Sequence, residues 1–422
     1  MPSQNSIGQN SIGGLPEQGR AWFSRPAARA WTCPPAPAAV RDFHSRLPGF
    51  TSTPLTELPA LAEEFGVGRV FVKDESCRLG LPAFKALGAS WAIHRVLDRR
   101  TDDHPVRLVT ATDGNHGRAV ARMARLLGHR AHVFVPKGVH PAAEAAIAAE
   151  GADVTRVDGP YDEAVRRASE ASHEPSAVLV QDTAWSGYEE VPGWIVEGYS
   201  TLFAEIDEQL GAAGAGPAGL VAVPAGVGSL AQAAVTHYRR GLAGPAPALL
   251  SVEPDNAACV LASLVAGEAV SVTTGETIMA GLNCGTPSSL AWPCLRDGVD
   301  AAVTVTDAES AAAVRDLVAL GVHAGPCGAA SLAGVRAALG GDGQPGRRDA
   351  LGVGPDSTVV LLSTEGADAN PALAAPTPVT SAGSVRPARR TTPVASDASF
   401  APDAPFVSDA RFVSDAPFVS DD

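Results

Sequence analysis

Residues 220–238 read LVAVPAGVGSLAQAAVTHY. A short apolar run, a glycine turn and an Ala-rich segment of helical character follow one another without a break. A strand, a turn and a helix start in that order bring several backbone N–H groups, and the positive end of a helix, to one point. Such a point binds phosphate. Taken alone the segment fits a tight turn with no ligand equally well. It lacks the third glycine of a dinucleotide fingerprint, and no acidic ribose partner follows at the expected distance. It also lacks the lysine of a P-loop, because no lysine follows Lys137.

Outward from this stretch the same pattern recurs. Val70–Val72, Leu108–Ala111, Ala131–Val135, Val154–Val157, Ala177–Val180, Leu249–Val252 and Thr358–Leu362 are apolar runs of strand length. Helical patterns lie between several of them: Ala83–Leu97, Gly117–Leu127, Ala142–Glu150 and Tyr161–Ala171. Strands apolar on both faces and separated by helices predict an α/β fold with parallel sheets flanked by helices. The ligand of such a fold sits at the carboxyl ends of strands, where loops lead into helix N-termini.

The chain has 422 residues, enough for two domains, and a formal net charge of −14 from 46 acidic and 32 basic side chains. The acidic balance argues against nucleic acid or anionic membrane as a partner. No run approaches the ~18 apolar residues of a spanning helix. Met1–Gly14 lacks the basic-then-apolar layout of a secretory signal. The six cysteines are scattered, with no CxxC and no zinc spacing, which predicts a reduced cytoplasmic protein without a metal. Residues 1–40 form a Pro/Ala/Gly-rich extension that either drapes over a domain or stays partly mobile. From residue 372 onward the chain turns Pro/Ala/Ser-rich and then repeats PFVSDA, RFVSDA and PFVSD, a composition that predicts a disordered tail.

Lysine is scarce: Lys73, Lys85 and Lys137 are the only three, and arginine supplies the other 29 basic side chains. Residues 71–89 read FVKDESCRLGLPAFKALGA, with Pro82 suited to the first turn of a helix and Lys85 close behind it. Beside Phe84, Lys85 is expected to be partly desolvated, which lowers an amine's pKa and suits imine formation. A solvated surface lysine is the competing reading. Thr110–Arg118 (TATDGNHGR) places Asp113 and Asn115 at a second strand end, and Val180–Glu190 (VQDTAWSGYEE) places Asp182 past a third. Each carboxylate is either a cap or turn former, or a general base facing a shared pocket.

In order along the chain, FVKDES, AFK, TDGNHG, QDTAW.GYEEVP, GVGS, VEPD, IMAGLNCG and LLSTEG resemble the diaminopropionate ammonia-lyase family, within the fold type II (tryptophan synthase β-like) pyridoxal-phosphate enzymes. The resemblance covers roughly Arg41 to Pro371. It implies pyridoxal 5'-phosphate joined to Lys85, its phosphate held by Gly226, Val227, Gly228 and Ser229, and its 3′-oxygen bonded by Asn115. It implies Ser363 or Thr364 at the ring nitrogen, Asp113 as base for the D-substrate and Asp182 for the L-substrate. It further implies a large cofactor-binding domain (41–100 plus 184–371), a small domain (101–183), a homodimer and a small-molecule amino-acid substrate. The expected reaction is α,β-elimination of 2,3-diaminopropionate to pyruvate and two ammonia. A serine/threonine dehydratase or a β-replacement enzyme on the same scaffold is the alternative, and a non-catalytic phosphate-binding module is a third reading. Pairing of Cys259 with Cys284 near the site's rim stays open, as does the effect of Trp91 where the family is glycine-rich.

Overall fold

The computed structural model describes residues 21–102, 104–112, 114–241, 245–340 and 345–369. Asp113, the first half of the N-terminal extension and the repetitive tail lie outside these residues. The strands are β1 (Trp22–Ser24), β2 (Leu55–Glu57), β3 (Arg69–Asp74), β4 (Arg107–Ala111), β5 (Arg130–Val135), β6 (Asp153–Arg156), β7 (Ala177–Leu179), β8 (Leu220–Pro224), β9 (Ala248–Pro254), β10 (Ala301–Val305) and β11 (Thr358–Ser363).

They form two sheets. The larger has the order β1-β10-β9-β8-β11-β3-β2 and the smaller β6-β5-β4-β7. The five inner strands of the large sheet are mutually parallel, and β1 and β2 close its edges antiparallel. The small sheet is parallel throughout. Every residue of β8, β9, β10 and β11 is buried, as strands covered by helices on both faces require. The strand-length apolar runs all fall in strands, with ends shifted by a residue or two. The sequence patterns pass over β1 and β2, which are three-residue edges, and β10, whose AAVTV is hard to tell from the Ala-rich helical segments. Residues 21–40 follow the edge of the large sheet. Strand β1 pairs with β10, Arg29 bonds the Asp300 carboxylate at 2.6 Å, and the Cys33 N–H donates to the Arg239 carbonyl.

Two glycines bring the helix Lys85–Asp98 unusually close to the helix Glu190–Gly198. A Cβ on Gly198 would lie 2.6 Å from the Leu87 carbonyl oxygen, and one on Gly88 would lie 2.6 Å from Cε1 of Tyr199. Any larger residue at either position would push the first turn of the Lys85 helix out of place. Trp91, on the same helix, is buried away from the strand ends and donates from Nε1 to Glu197 Oε2 at 2.8 Å. Its bulk therefore fills the helix interface.

Candidate active site

Lys73 and Lys137 are both committed elsewhere. Lys73 is fully buried, with Nζ donating to Glu205 Oε2 at 2.6 Å, to the Thr53 carbonyl and to Gln209 Oε1. Lys137 is exposed and paired with Asp158 at 3.1 Å. Lys85 alone of the three faces the cavity at the strand ends.

The loop between β3 and Lys85 is fixed at both ends. Arg78, wholly buried, bonds Glu75 and Glu205 at 2.7 Å each and donates to Thr53 Oγ1. Six oxygen atoms from four residues around one guanidinium satisfy a charge that would otherwise be costly to bury. Further on, the Gly366 N–H donates to the Pro82 carbonyl at 2.9 Å and the Phe84 N–H to the Thr364 carbonyl at 3.2 Å. This stitching keeps residues 82–84 out of the helix, which begins at Lys85 itself. The expectation that Pro82 opens the first turn is thus corrected: its carbonyl and its neighbours serve the segment after β11. Lys85, as the first helical residue, projects from the large sheet toward the small one.

Asp182 meets it there. Nζ of Lys85 donates to Asp182 Oδ2 at 2.7 Å. Asp182 follows β7, and its neighbour Gln181 holds the turn in place. Gln181 Oε1 accepts from the Ala111 N–H and the Thr110 hydroxyl, while its Nε2 donates to the Tyr161 phenol at 2.8 Å. Tyr188 folds back so that its hydroxyl donates to the Leu179 carbonyl and accepts from the Gln181 N–H. Its ring stacks on Trp185 at 4.5 Å. The QDTAW.GY segment is therefore a clamp on one carboxylate.

Burial alone would lower the pKa of Lys85, as expected from its surroundings. The Asp182 carboxylate, aided by Tyr199 and Cys284, outweighs burial and raises it. The expected lowered pKa is overturned by this ion pair. Asp182 shows the reciprocal effect: burial works against the carboxylate, but His116 and Lys85 hold its pKa down at about 2. His116 is buried, and desolvation lowers its pKa. Its Nε2–H donates to the Val180 carbonyl at 2.8 Å, leaving Nδ1 3.9 Å from Asp182 Oδ2.

The glycine loop forms the opposite wall. The N–H groups of Gly226, Val227 and Gly228 make no backbone hydrogen bond among the described residues. Ser229 opens the helix Ser229–Tyr238, whose first turn adds unpaired N–H groups and a positive dipole end. Gly228 has φ +95°, and a Cβ there would lie 2.5 Å from Leu295 Cδ1, so only glycine gives this turn. The Ser229 hydroxyl donates to the Asp182 backbone carbonyl at 3.2 Å, tying the two walls together.

Asn115, Thr364 and the 226–229 loop line the same cavity as Lys85 and Asp182, as do Thr112 and Gly114 on either side of Asp113. Ser363 does not: its side chain is fully buried beneath the helix Pro326–Leu339, where a Cβ on Gly328 would lie 3.0 Å from its Oγ. Cys259 and Cys284 form no disulfide with each other, and Cys259 Sγ lies 3.6 Å from the Gly226 carbonyl. Glu365 and His116 also face the cavity and were passed over in the sequence, although both lie inside quoted motifs. Glu365 accepts from Asn115 Nδ2 at 2.6 Å. A carboxylate can only accept, so this bond fixes which end of the Asn115 amide faces it.

A lysine at the mouth of a helix-backed nest of peptide N–H groups, between two parallel sheets, defines a class. The chain belongs to the pyridoxal-phosphate dependent enzymes, whose family model matches residues 47–364. The diaminopropionate ammonia-lyase of Salmonella typhimurium is 38% identical over 298 residues, 65% of this chain and 74% of its own. That of Escherichia coli K12 is 36% identical over 354 residues, 78% of this chain and 87% of its own. A crystal structure of the Escherichia coli enzyme in complex with an aminoacrylate-PLP azomethine reaction intermediate matches with a TM-score of 0.75 at 32% identity, covering 83% of this chain and 94% of that one. Within the class, the chain belongs to the diaminopropionate ammonia-lyase family.

The residues present fit the cofactor. The free N–H groups of the glycine turn suit a phosphate, and Gly226 leaves no room for a side chain, since a Cβ there would lie 2.9 Å from Cys284 Sγ. Lys85 supplies the amine.

Proposed function

We propose that this chain catalyses the α,β-elimination of 2,3-diaminopropionate to pyruvate and two ammonia. The Lys85–Asp182 pair is the observation that carries the reading. A reactive amine from the large sheet and a buried carboxylate from the small one meet at 2.7 Å beside a phosphate nest.

Bound through Lys85, pyridoxal phosphate supplies an electron sink for the pair left at Cα when its proton departs. The chain does the rest. The 226–229 loop would hold the phosphate, Asn115 would offer its second N–H to the 3′-oxygen, and the Thr364 hydroxyl would face the ring nitrogen. Asp182 would take the α-proton of the L-isomer, and Asp113 that of the D-isomer. A carboxylate held at a pKa of about 2 is a weak base. That weakness belongs to the resting state: once Lys85 is committed to the cofactor, Asp182 loses its ammonium partner, and burial then raises its pKa and strengthens it as a base. A carboxylate also attracts the β-ammonium group of a diamine, which the hydroxyl of a serine or threonine at the same place would not.

The domain division (41–100 plus 184–371 against 101–183), with closure of the cleft to exclude water, belongs to this proposal, as do a homodimer and a cytoplasmic location. The dimer follows the family resemblance, and the location follows the scattered cysteines.

The test compares steady-state turnover of both diaminopropionate isomers with that of serine and threonine. Diaminopropionate should win by far, whereas a tenfold preference for serine (about 1.4 kcal/mol in the transition state) would establish the dehydratase instead. Mass spectrometry of the borohydride-reduced protein should find the cofactor on Lys85, and modification of Lys73 or Lys137 would refute the assignment.

A further inference from the structure

Glu365 follows β11 and is almost wholly buried, yet its side chain lines the cavity. Its backbone is fixed first. The Gly325 N–H donates to the Glu365 carbonyl at 2.8 Å, and on either side the Thr364 carbonyl and the Gly366 N–H are bonded to Phe84 and Pro82. The carboxylate is then held from two directions. Oε1 accepts from the Cys327 N–H at 3.3 Å, in the first turn of the helix Pro326–Leu339. Oε2 accepts from Asn115 Nδ2 at 2.6 Å, at the start of the helix Asn115–Leu126. The first bond alone would be an ordinary cap, since a carboxylate is stabilising at a helix N-terminus. Gly325 makes room for it: a Cβ there would lie 3.1 Å from Oε1. The second bond has no part in capping. It crosses from the large sheet to the small one and ends on the residue that would hold the cofactor's 3′-oxygen.

An asparagine amide can be turned over without a change of shape, and its partners alone decide which end carries the N–H groups. A carboxylate and the 3′-oxygen are both acceptors, so both require the NH2 end. We propose that Glu365 is a positioning residue for Asn115, holding the amide with its NH2 group toward the cofactor pocket before the cofactor arrives. One N–H then stays on Oε2 while the other meets the 3′-oxygen. A donor aimed in advance gives up no rotamer freedom on binding. This role rests on the function proposed above.

Glu365→Gln tests this at constant volume. The Cys327 N–H keeps the glutamine's Oε1, which leaves its NH2 group facing the NH2 group of Asn115. Two donors repel, and turning the Asn115 amide over relieves the clash. The 3′-oxygen then meets an amide oxygen instead of an N–H. The full-length chain, stripped of cofactor, is titrated with pyridoxal phosphate and followed by visible absorbance, as wild type, E365Q, N115A and the double variant. E365Q should bind about tenfold more weakly than wild type. The thermal midpoint of the empty E365Q chain should be almost unchanged, because the turned amide restores both bonds. The double variant should bind no more weakly than N115A, because Glu365 acts through that amide. A cofactor analogue lacking the 3′-oxygen should bind wild type and E365Q alike.

Losses that multiply in the double variant would overturn the proposal, and so would an analogue that still discriminates; either would mean that the carboxylate reaches the cofactor by another route. An E365Q chain that melts far lower or fails to fold would make Glu365 a structural cap and nothing more. A wild-type chain that captures no cofactor on Lys85 would overturn this proposal and the function together, whereas normal wild-type capture with equal binding by E365Q would overturn this proposal alone.

Discussion

Replacing Asp182 by asparagine separates the two jobs assigned to its carboxylate. In the cofactor-free chain the fall of its pKa from 3.8 to about 2 corresponds to roughly 2.5 kcal/mol of favourable interaction, shared between Lys85 and His116. Asparagine keeps the volume and removes the charge. Burial then dominates at Lys85, whose pKa drops, and the share of free amine at neutral pH rises. D182N should therefore capture pyridoxal phosphate faster than wild type at pH 7, while turnover of the L-isomer collapses. Stability moves the other way. A depressed carboxylate pKa contributes stability that is complete above 3.8 and lost as pH falls through about 2. Urea unfolding should show D182N weaker than wild type by about 2 kcal/mol near neutrality, with the gap closing across that acid window. Capture that is no faster in D182N at pH 7, or a stability gap that persists at pH 2, would refute the claim that this ion pair governs the lysine.

Asp113→Asn and Asp182→Asn should damage the two isomers unequally, with the D-isomer suffering more in the first variant and the L-isomer in the second; equal losses in coupled pyruvate assays would end the two-base scheme. Gly228→Ala forces a Cβ to 2.5 Å from Leu295 Cδ1 at φ +95°, so cofactor titrations should show weakened binding, with a stability loss of about 1–3 kcal/mol. Glu205→Gln removes the shared partner of Lys73, Arg78 and Arg41, and urea midpoints should fall by an amount corresponding to about 3–5 kcal/mol. The cofactor should still attach to Lys85 in whatever fraction of E205Q folds.

What could be read from the sequence was what recurs with a period or a fixed order. Strands covered on both faces are continuous apolar runs, so eight of the eleven strands among the described residues could be located, and β1, β2 and β10 escaped because they are very short or alanine-rich. Lys85, Asn115, Asp182 and the glycine turn were legible because each sits where a strand meets a helix, and the structure brings them to one cavity. The charge state of Lys85 was not legible. Its sign depends on a residue 97 positions away, and a local reading sees only the desolvation from Phe84. The same limit hid Glu365, whose partner Asn115 lies 250 residues earlier on the other sheet, and Tyr199, which carries no motif at all.

These misses share a cause. A pattern reports what one residue prefers among its neighbours, whereas the cavity is built from residues that prefer something else. Lys85 is half-buried yet charged, and Tyr199 is a fully buried phenol set against Gly88 beside it. Both are tolerated because Gly88 and Gly198 let two helices touch at backbone distance, and because the Arg78 network fixes the loop that leads to the amine. Local cost held in place by surrounding packing marks the groups whose protons must move. By that reasoning the next candidate is His116, buried beside Asp182 with Nδ1 unpartnered among the described residues. His116→Asn would remove an imidazole whose influence lowers the carboxylate's pKa. In that variant the acid limb of turnover should move to higher pH, because Asp182 takes its proton more readily. A limb that stays in place would mean that His116 does not set the carboxylate's strength.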